Sequence, residues 1–163
     1  MWGADVAWTA TEEEAHMPTV SRTFTTTAPP EVVFDYLADF TNAEEWDPGT
    51  KSCERTSGAG GVGTTYRNVS SFLGREAVIT YTTVELEHPT RIRLTGRNEQ
   101  FHGHDVLGIR AHDGGSEVTY TAQFSFHGKS KLAVPVVAAY LPFLARTTVE
   151  QMRGCLDRLP GAR

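Results

Sequence analysis

The feature that most constrains the fold is a series of strand-like segments between residues 50 and 126. These segments are rich in β-branched and aromatic residues, which are typical of strands. Short turns separate them, including LG, HP, RN and HDGG. Strands joined by short turns pair with their sequence neighbours in opposite directions, so the series predicts an antiparallel meander. The predicted strands are TKSCERT, TTYRNVSSF, REAVITYTTVELE, TRIRLTG, QFHGHDVLGIRA and SEVTYTAQFSFHG.

The glycine-rich stretch SGAGGVG lies between the first two of these strands. A phosphate-binding loop would end in GK[ST] and lead into a helix, and neither feature follows here. The stretch is therefore interpreted as a β-turn.

A strand and two short helices precede the meander. The segment TVSRTFTTTA predicts a strand that ends at Pro29, and Pro30 suits the first turn of a helix because its missing N–H is not needed there. Thr41 and Glu44 have the spacing of a capping box, which predicts a second short helix. That helix is expected to end at the turn WDPG.

A long amphipathic helix is predicted at the other end of the chain. From Leu141, apolar or small residues recur at positions 141, 145, 148, 152, 155 and 159, which is a helical period. Charged residues at helical spacing fill the opposite face. Pro135 and Pro142 interrupt the apolar segment KLAVPVVAAYLPFLA, so we expect a partly irregular lid before Pro142.

Composition excludes several classes of function. The chain has 163 residues, 39% hydrophobic and 21% charged residues and a net charge of −5, which fits one globular domain and does not favour nucleic-acid binding. The most apolar run, residues 132–145, is short and contains two prolines, so no stable membrane insertion is expected. Cys53 and Cys155 lack metal-site spacing, and a cytoplasmic location fits unpaired cysteines.

Residues 1–17 differ from the rest of the chain. They contain Asp5, Glu12, Glu13 and Glu14 but no Lys or Arg, and they lack the apolar centre of a secretory signal. We interpret them as a flexible extension, and Met17 at its end is a candidate for the natural start.

The predicted order of elements implies an internal pocket, because one helix cannot fill the whole concave face of a strongly curved sheet. Alternation along the strands predicts which residues face inward. Most of this inward set is apolar, with a few hydroxyl groups and one amide, as in ligand pockets. Its polar members are alternatively core residues bonded to backbone or water. The predicted ligand-binding residues are Trp46, Tyr66, Asn68, Ser70, Thr80, Thr82, Leu94, Phe101, Leu107, Tyr120, Phe124, Tyr140, Leu144, Thr148 and Met152.

Trp46 has two interpretations: it either caps the pocket or anchors the short helices to the sheet. Asp105 shares strand parity with Phe101 and Leu107, so its carboxyl group is predicted to face the pocket. Burial would favour its neutral form and suit it for proton transfer, with Tyr66 as a second candidate catalytic residue. The alternative is that Asp105 only bonds a neighbouring group.

The same parity turns His102 and His104 toward solvent, and no metal or cofactor is expected because no third ligand is evident.

The segments TTTAPPEVVFDYLADFTNAEEWDPG, GVGTTYRN, VELEHPTRIRL and GGSEVTYTAQFSFHG resemble the SRPBCC superfamily over residues 18–159. This superfamily includes polyketide cyclases, lipid carriers and pollen-allergen-like proteins. The resemblance implies an α+β helix-grip fold, in which a curved antiparallel sheet of about seven strands wraps around a long C-terminal helix, with two short helices after the first strand. It also implies a single domain over 18–159, with a short tail at 160–163.

The resemblance implies that the partner is a hydrophobic or aromatic small molecule bound in an internal cavity, by a monomer or homodimer. Two functions follow from it. The protein either catalyses cyclisation or dehydration of a polyketide-like substrate, or carries a lipid, quinone or isoprenoid without transforming it. A scaffold with a filled core is a third, less favoured class.

Overall fold

A seven-stranded antiparallel sheet forms the body of the molecule in a computed structural model, which describes residues 18–163. The predicted extension at 1–17 lies outside the described residues. The spatial order of the strands is β1-β7-β6-β5-β4-β3-β2. Strands β2 to β7 form a meander, and β1 extends the sheet at one edge by pairing with β7. The strands are β1 Thr19–Thr26, β2 Thr50–Ser57, β3 Thr65–Phe72, β4 Arg75–Glu87, β5 Arg91–Arg97, β6 Phe101–His112 and β7 Gly115–Phe126.

Two short helices connect β1 to β2, as the sequence predicts. Helix α1 spans Pro30–Ala38, a 3-10 turn follows at Phe40–Asn42, and helix α2 spans Ala43–Trp46. The predicted capping box is wrong. The carboxylate of Asp39, not that of Glu44, accepts a hydrogen bond from the Thr41 amide at 3.2 Å. Glu44 instead accepts from the Cys53 amide at 2.7 Å, which ties α2 to β2.

The long C-terminal helix is more regular than predicted. A 3-10 helix at Gly128–Ala133 leads directly into α3, Val134–Asp157, which continues through Pro142. The expected irregular lid before Pro142 is therefore wrong. Pro135 lies in the first turn, where no N–H is needed, and Pro142 removes a single helical hydrogen bond on an exposed face. Packing of Val137 and Leu141 against the sheet keeps the helix continuous.

Among the described residues, the helical stretch Gly128–Asp157 is long and apolar enough to cross a membrane by length and composition. The apolar run at 132–145, on which the expectation of no stable membrane insertion rests, is only part of this helical stretch. Core helices of globular domains meet the same criterion, and this helix buries one side, including Leu141, Met152 and Leu156, in the domain core.

The core is divided into two clusters of buried side chains. The larger one joins α1, α2 and the second half of α3 to the sheet, around Leu37, Tyr66 and Met152. The smaller one joins Val20 of β1 and Ala122 of the neighbouring β7 to the first half of α3. Partly buried Tyr120 packs against both clusters. The division leaves room for an interior space between them.

Replacing Gly154 in α3 with Ala should stabilise the fold by about 1 kcal/mol, because Gly is unfavourable inside a helix. An added Cβ would meet only the Arg158 side chain, at 3.4 Å. Urea denaturation would measure the change. Gly115→Ala is the contrasting variant, since its Cβ would lie 2.1 Å from the Thr26 carbonyl oxygen and should destabilise the protein. A Gly154→Ala protein less stable than the parent would contradict the prediction.

Candidate functional site

A cavity of about 420 Å³ lies between the concave face of the sheet and α3. Its wall is mainly apolar and aromatic. It is formed by residues of the five strands β1, β3, β4, β6 and β7, the 3-10 turn, α2 and the first two-thirds of α3. It reaches the surface beside Arg75, Glu76 and Gln100, which are exposed lining residues at the β3–β4 and β5–β6 turns. This size and polarity suit a small hydrophobic or aromatic molecule.

Asp105 and Tyr120 are joined by a hydrogen bond and face the buried part of this cavity. The Tyr120 hydroxyl donates to Asp105 Oδ1 at 2.8 Å. The two residues lie on neighbouring strands β6 and β7, and both line the cavity. Asp105 is 8% exposed, so the carboxyl group is almost entirely removed from bulk water. The arrangement holds the carboxyl group in a defined position at the cavity wall.

Burial raises the pKa of Asp105 from 3.8 to about 7. The hydrogen bond from Tyr120 acts in the opposite direction, and the nearby negative charge of Asp47 adds a further increase. Burial also raises the pKa of Tyr120 well above 10.0, so its hydroxyl keeps its proton at neutral pH. A carboxyl group with a pKa about 7 can both give and take a proton near neutrality.

A second carboxylate, Asp47, lines the same cavity at the end of α2. Its two oxygens accept hydrogen bonds from the Thr50 hydroxyl at 2.7 Å and from the Gly49 amide at 3.1 Å. Burial raises the pKa of Asp47, although these hydrogen bonds oppose the increase. Asp47 is not among the predicted site residues, because an Asp before Pro-Gly is typical of a turn, and that turn holds its side chain at the cavity here.

Aromatic rings surround these polar groups. Trp46 is 2% exposed and lines the cavity, with ring-centroid distances of 6.0 Å to Phe40 and 6.3 Å to Tyr120. Tyr81 also lines the cavity and packs against Phe40 at 4.7 Å. Trp46 is thus anchored in the core and is not a cap at the mouth.

The family described as polyketide cyclase / dehydrase and lipid transport matches the chain over residues 17–161. The chain belongs to this family. No curated protein matches it significantly.

Solved structures with the same fold include the Zhui aromatase/cyclase from Streptomyces sp. R1128, with a TM-score of 0.74 at 17% identity over 88% of this chain and 95% of that chain. A START superfamily protein from Mycobacterium smegmatis has a TM-score of 0.74 at 14% identity over 87% of this chain and 99% of that chain. The di-domain aromatase/cyclase BexL of the BE-7585A biosynthetic pathway has a TM-score of 0.68 at 13% identity over 88% of this chain and 51% of that chain. At these identities the similarity establishes the helix-grip fold.

In this polyketide cyclase / dehydrase family member, several predicted site residues line the cavity together. They come from β3, β6, β7, the C-terminal helix and the end of α2. They are Trp46, Ser70, Phe101, Asp105, Tyr120, Phe124, Leu144 and Thr148.

Other predicted residues face inward but lie in the core and not among the cavity-lining residues. Tyr66 is fully buried and packs against Phe40 at 5.7 Å. Asn68 is also buried, donating to the Thr50 hydroxyl at 3.0 Å and accepting from Ser70 at 2.5 Å. The apolar members of this core group are Leu94, Leu107 and Met152. Their predicted place in the pocket is wrong because the larger core cluster fills that part of the concave face.

Two predicted residues of β4 do not face the cavity. Thr80 is exposed and Thr82 is only partly buried, whereas Ile79 and Tyr81 line the cavity. The reason is a bulge at residue 84. Thr83 pairs with Leu94 and Glu85 with Arg93, so one extra residue sits in β4 and reverses the alternation. The alternation of inward and outward side chains after the bulge therefore does not apply to the residues before it. For this reason the predicted inward face of Thr80 and Thr82 is wrong.

Tyr140 lies outside the cavity, in a shallow apolar groove on the surface with Leu73 and Val136. It is nevertheless close to the cavity, since its ring is 5.4 Å from that of Phe72, a cavity-lining residue.

The histidines of β6 are less exposed than predicted. His104 is only 6% exposed, and its ring centroid is 4.6 Å from that of His102. Its pairing partners Thr95 and Gln123 flank it on the sheet, which limits its contact with water. Within residues 18–163, no group of three or more potential metal ligands is found.

Proposed function

We propose that this protein binds a polyketide-like or other aromatic small molecule in the cavity and catalyses a proton-transfer step of cyclisation or dehydration. The observation that carries the proposal is the buried Asp105 carboxyl group, held by the Tyr120 hydroxyl at 2.8 Å against a mostly apolar cavity. Buried carboxyl groups with shifted pKa values in a pocket are typical of acid–base catalysis.

The cavity supports binding by shape and composition. A volume of about 420 Å³ is within the range of pockets that hold small ligands. The rings of Trp46, Tyr81 and Phe101 offer flat apolar contacts to an aromatic or conjugated molecule. A flexible substrate folded against these rings would have its reacting carbons held near each other, which favours ring closure.

The proposed chemistry needs no oxidant or reductant. The Asp105 carboxylate takes a proton from a carbon between two carbonyl groups of the substrate. The resulting enolate carbon forms a bond with a second carbonyl carbon, whose oxygen then takes a proton back from Asp105. In dehydration, Asp105 removes another proton from the same carbon and gives it to the new hydroxyl group, which leaves as water. Tyr120 orients Asp105 through the hydrogen bond that its hydroxyl donates to Oδ1.

Known proteins support the proposed reaction class by analogy. Two solved structures with this fold carry the name aromatase/cyclase, the Zhui and BexL proteins. The family description itself covers both cyclase or dehydrase activity and lipid transport. A shared fold alone does not establish a shared reaction.

A non-catalytic carrier of a lipid, quinone or isoprenoid is the second candidate. The mostly apolar wall favours it, as does the exposed apolar groove around Val136 close to the cavity. A carrier would bind ligand and release it unchanged.

The two functions are separated by native mass spectrometry followed by a turnover assay. Freshly purified protein is first examined for a bound species, and a linear poly-β-keto thioester is then incubated with it. Cyclised or dehydrated product above the uncatalysed rate supports the proposed enzyme. A bound lipid together with no product supports the carrier and contradicts the enzyme.

Filling the cavity should abolish ligand binding. Ala145 is buried on α3 and lines the cavity, so Ala145→Phe places a ring in the space that the ligand would use. We expect affinity for an environment-sensitive naphthalene probe to fall by at least about tenfold, since bulky side chains exclude ligands of similar size. Ala111→Phe is the matched control, because Ala111 is exposed near the end of β6. Unchanged probe binding in a folded Ala145→Phe protein would contradict the cavity as the binding site.

A further inference from the structure

The first half of α3 and the turn beside it present large apolar side chains to solvent. Leu73, Leu132, Val136 and Phe143 are 56%, 84%, 56% and 58% exposed, respectively. We call these four residues and the groove between them the apolar face. Leu73 comes from the β3–β4 turn, Leu132 from the 3-10 helix, and the other two from α3.

The apolar face is continuous from Leu73 to Phe143 and not a scatter of single residues. Leu73 and Val136 line one shallow groove with Pro135, Ala139 and Tyr140. The ring of Tyr140 also lies 5.3 Å from that of Phe143. Isolated exposed apolar residues are ordinary on protein surfaces, whereas contiguous patches of this kind mark interaction sites.

The apolar face adjoins the cavity. Phe72 lines the cavity and contacts Tyr140, which lies in the groove, at a ring distance of 5.4 Å. The 3-10 helix and α3 also contribute Ser130 and Val137 to the cavity wall. A hydrophobic molecule moving from the apolar face into the cavity would thus pass along aromatic side chains.

The charge near the apolar face is opposite to that of the whole chain. The chain has a net charge of −5, but residues 118–149 contain Lys129, Lys131 and Arg146 and no Asp or Glu. Arg146 forms an ion pair with Glu150 at 3.0 Å, so the two lysines supply the local positive charge. Both lysines are exposed and lie within the 3-10 helix that carries Leu132. Two acidic residues, Glu76 and Glu99, lie at the neighbouring turns. The charge of Glu76 is paired with that of Lys51, so Glu99 is the acidic residue that remains there.

From these observations we propose that the apolar face docks reversibly on a lipid bilayer that contains anionic lipids. Protruding aliphatic and aromatic side chains suit insertion into the interfacial region of a bilayer, and flanking lysines are attracted to anionic headgroups. The groove is lined only by apolar residues and Tyr140, so it offers few of the polar contacts that line protein–protein interfaces. The docking goes beyond the proposed reaction and does not depend on Asp105.

Vesicle flotation with the full chain tests the docking. The vesicles contain phosphatidylcholine alone, or phosphatidylcholine with about 30% phosphatidylglycerol, which gives an anionic surface. We expect the protein to float with the anionic vesicles and to float much less with the neutral ones. Binding should weaken as salt concentration rises, because salt screens the lysine–headgroup attraction.

Two variants identify the surface. The double variant Leu132→Asp with Val136→Asp should reduce binding at least about tenfold, because it places carboxylates on the apolar face. The double variant Lys129→Glu with Lys131→Glu should also reduce binding to anionic vesicles at least about tenfold. Val62→Asp is the matched control, since Val62 is 66% exposed in the β2–β3 turn, at the opposite end of β3 from Leu73. Circular dichroism and naphthalene-probe binding verify that each variant is folded.

Three results would overturn the proposal. The first is that neither kind of vesicle binds the parent protein. The second is that binding persists in the folded Leu132→Asp, Val136→Asp variant, or falls equally in Val62→Asp. The third is a dimer in solution that dissociates in the Leu132→Asp, Val136→Asp variant without any vesicle binding, which would identify a second copy of the chain as the occupant.

Discussion

Asp105→Asn is expected to lower product formation by about 10²–10⁴-fold, the usual effect of losing one general acid or base. Asn is nearly the same size as Asp, and its side-chain oxygen can still accept the hydrogen bond that Tyr120 donates at 2.8 Å. The fold and the ligand affinity should therefore be retained. What the variant lacks is a group that exchanges protons.

The measurement pairs turnover of the poly-β-keto thioester with naphthalene-probe affinity and melting temperature. Asp113→Asn is the matched control, because Asp113 is exposed in the β6–β7 turn and has a positive φ of 46°, which Asn tolerates. In the parent protein, kcat/KM should also change with an apparent pKa near 7, as burial of Asp105 implies. Parent-like turnover in Asp105→Asn would exclude Asp105 from catalysis.

The second large effect is on stability, and it depends on pH. Asp105→Asn should become increasingly stabilising relative to the parent protein as the pH rises from about 4 to about 8, because Asn never carries the charge that burial opposes. Burial raises the pKa of Asp105 from 3.8 to about 7 in the folded protein. That difference of about three pKa units corresponds to about 4 kcal/mol of unfolding free energy.

The direction follows from proton binding. Between about pH 4 and about pH 7, the folded state keeps the proton on Asp105 while the unfolded chain has lost it. The folded state then binds more protons, so the unfolding free energy of the parent protein falls as pH rises through this window. Below it, Asp105 is protonated in both states and the variant and parent should differ least.

Urea denaturation of both proteins at about pH 4 and about pH 8 measures the effect. The difference between variant and parent is the relevant quantity, because Asp47 and the other carboxyl groups titrate in both proteins. A stability difference that stays constant across the window would show that Asp105 is solvated, and it would remove the basis for a catalytic proton transfer. Asp113→Asn should show only a small change with pH, since its carboxylate is exposed.

Much of the architecture was predictable because it depends on local chemistry. Turn residues and β-branched segments predicted the strands β2 to β7, and the period of apolar residues predicted the buried side of α3 at Leu141, Ala145 and Met152. The same alternation predicted that Asp105 lies inside. The predicted inward position of Asp105 is correct because β6 pairs with β5 and β7 without a register shift, so the alternation is not interrupted.

What the sequence by itself determined is thus the order of the elements, the antiparallel meander and the inward faces of the regular strands, all of which follow from residue spacing. Tertiary structure alone decided which inward residues line the cavity and which fill the core. The bulge at residue 84 reversed the face of Thr80 and Tyr81, and it depends on pairing with β5. Asp47 joined Asp105 at the cavity only because α2 packs against α3, a contact between distant parts of the chain that no local pattern encodes.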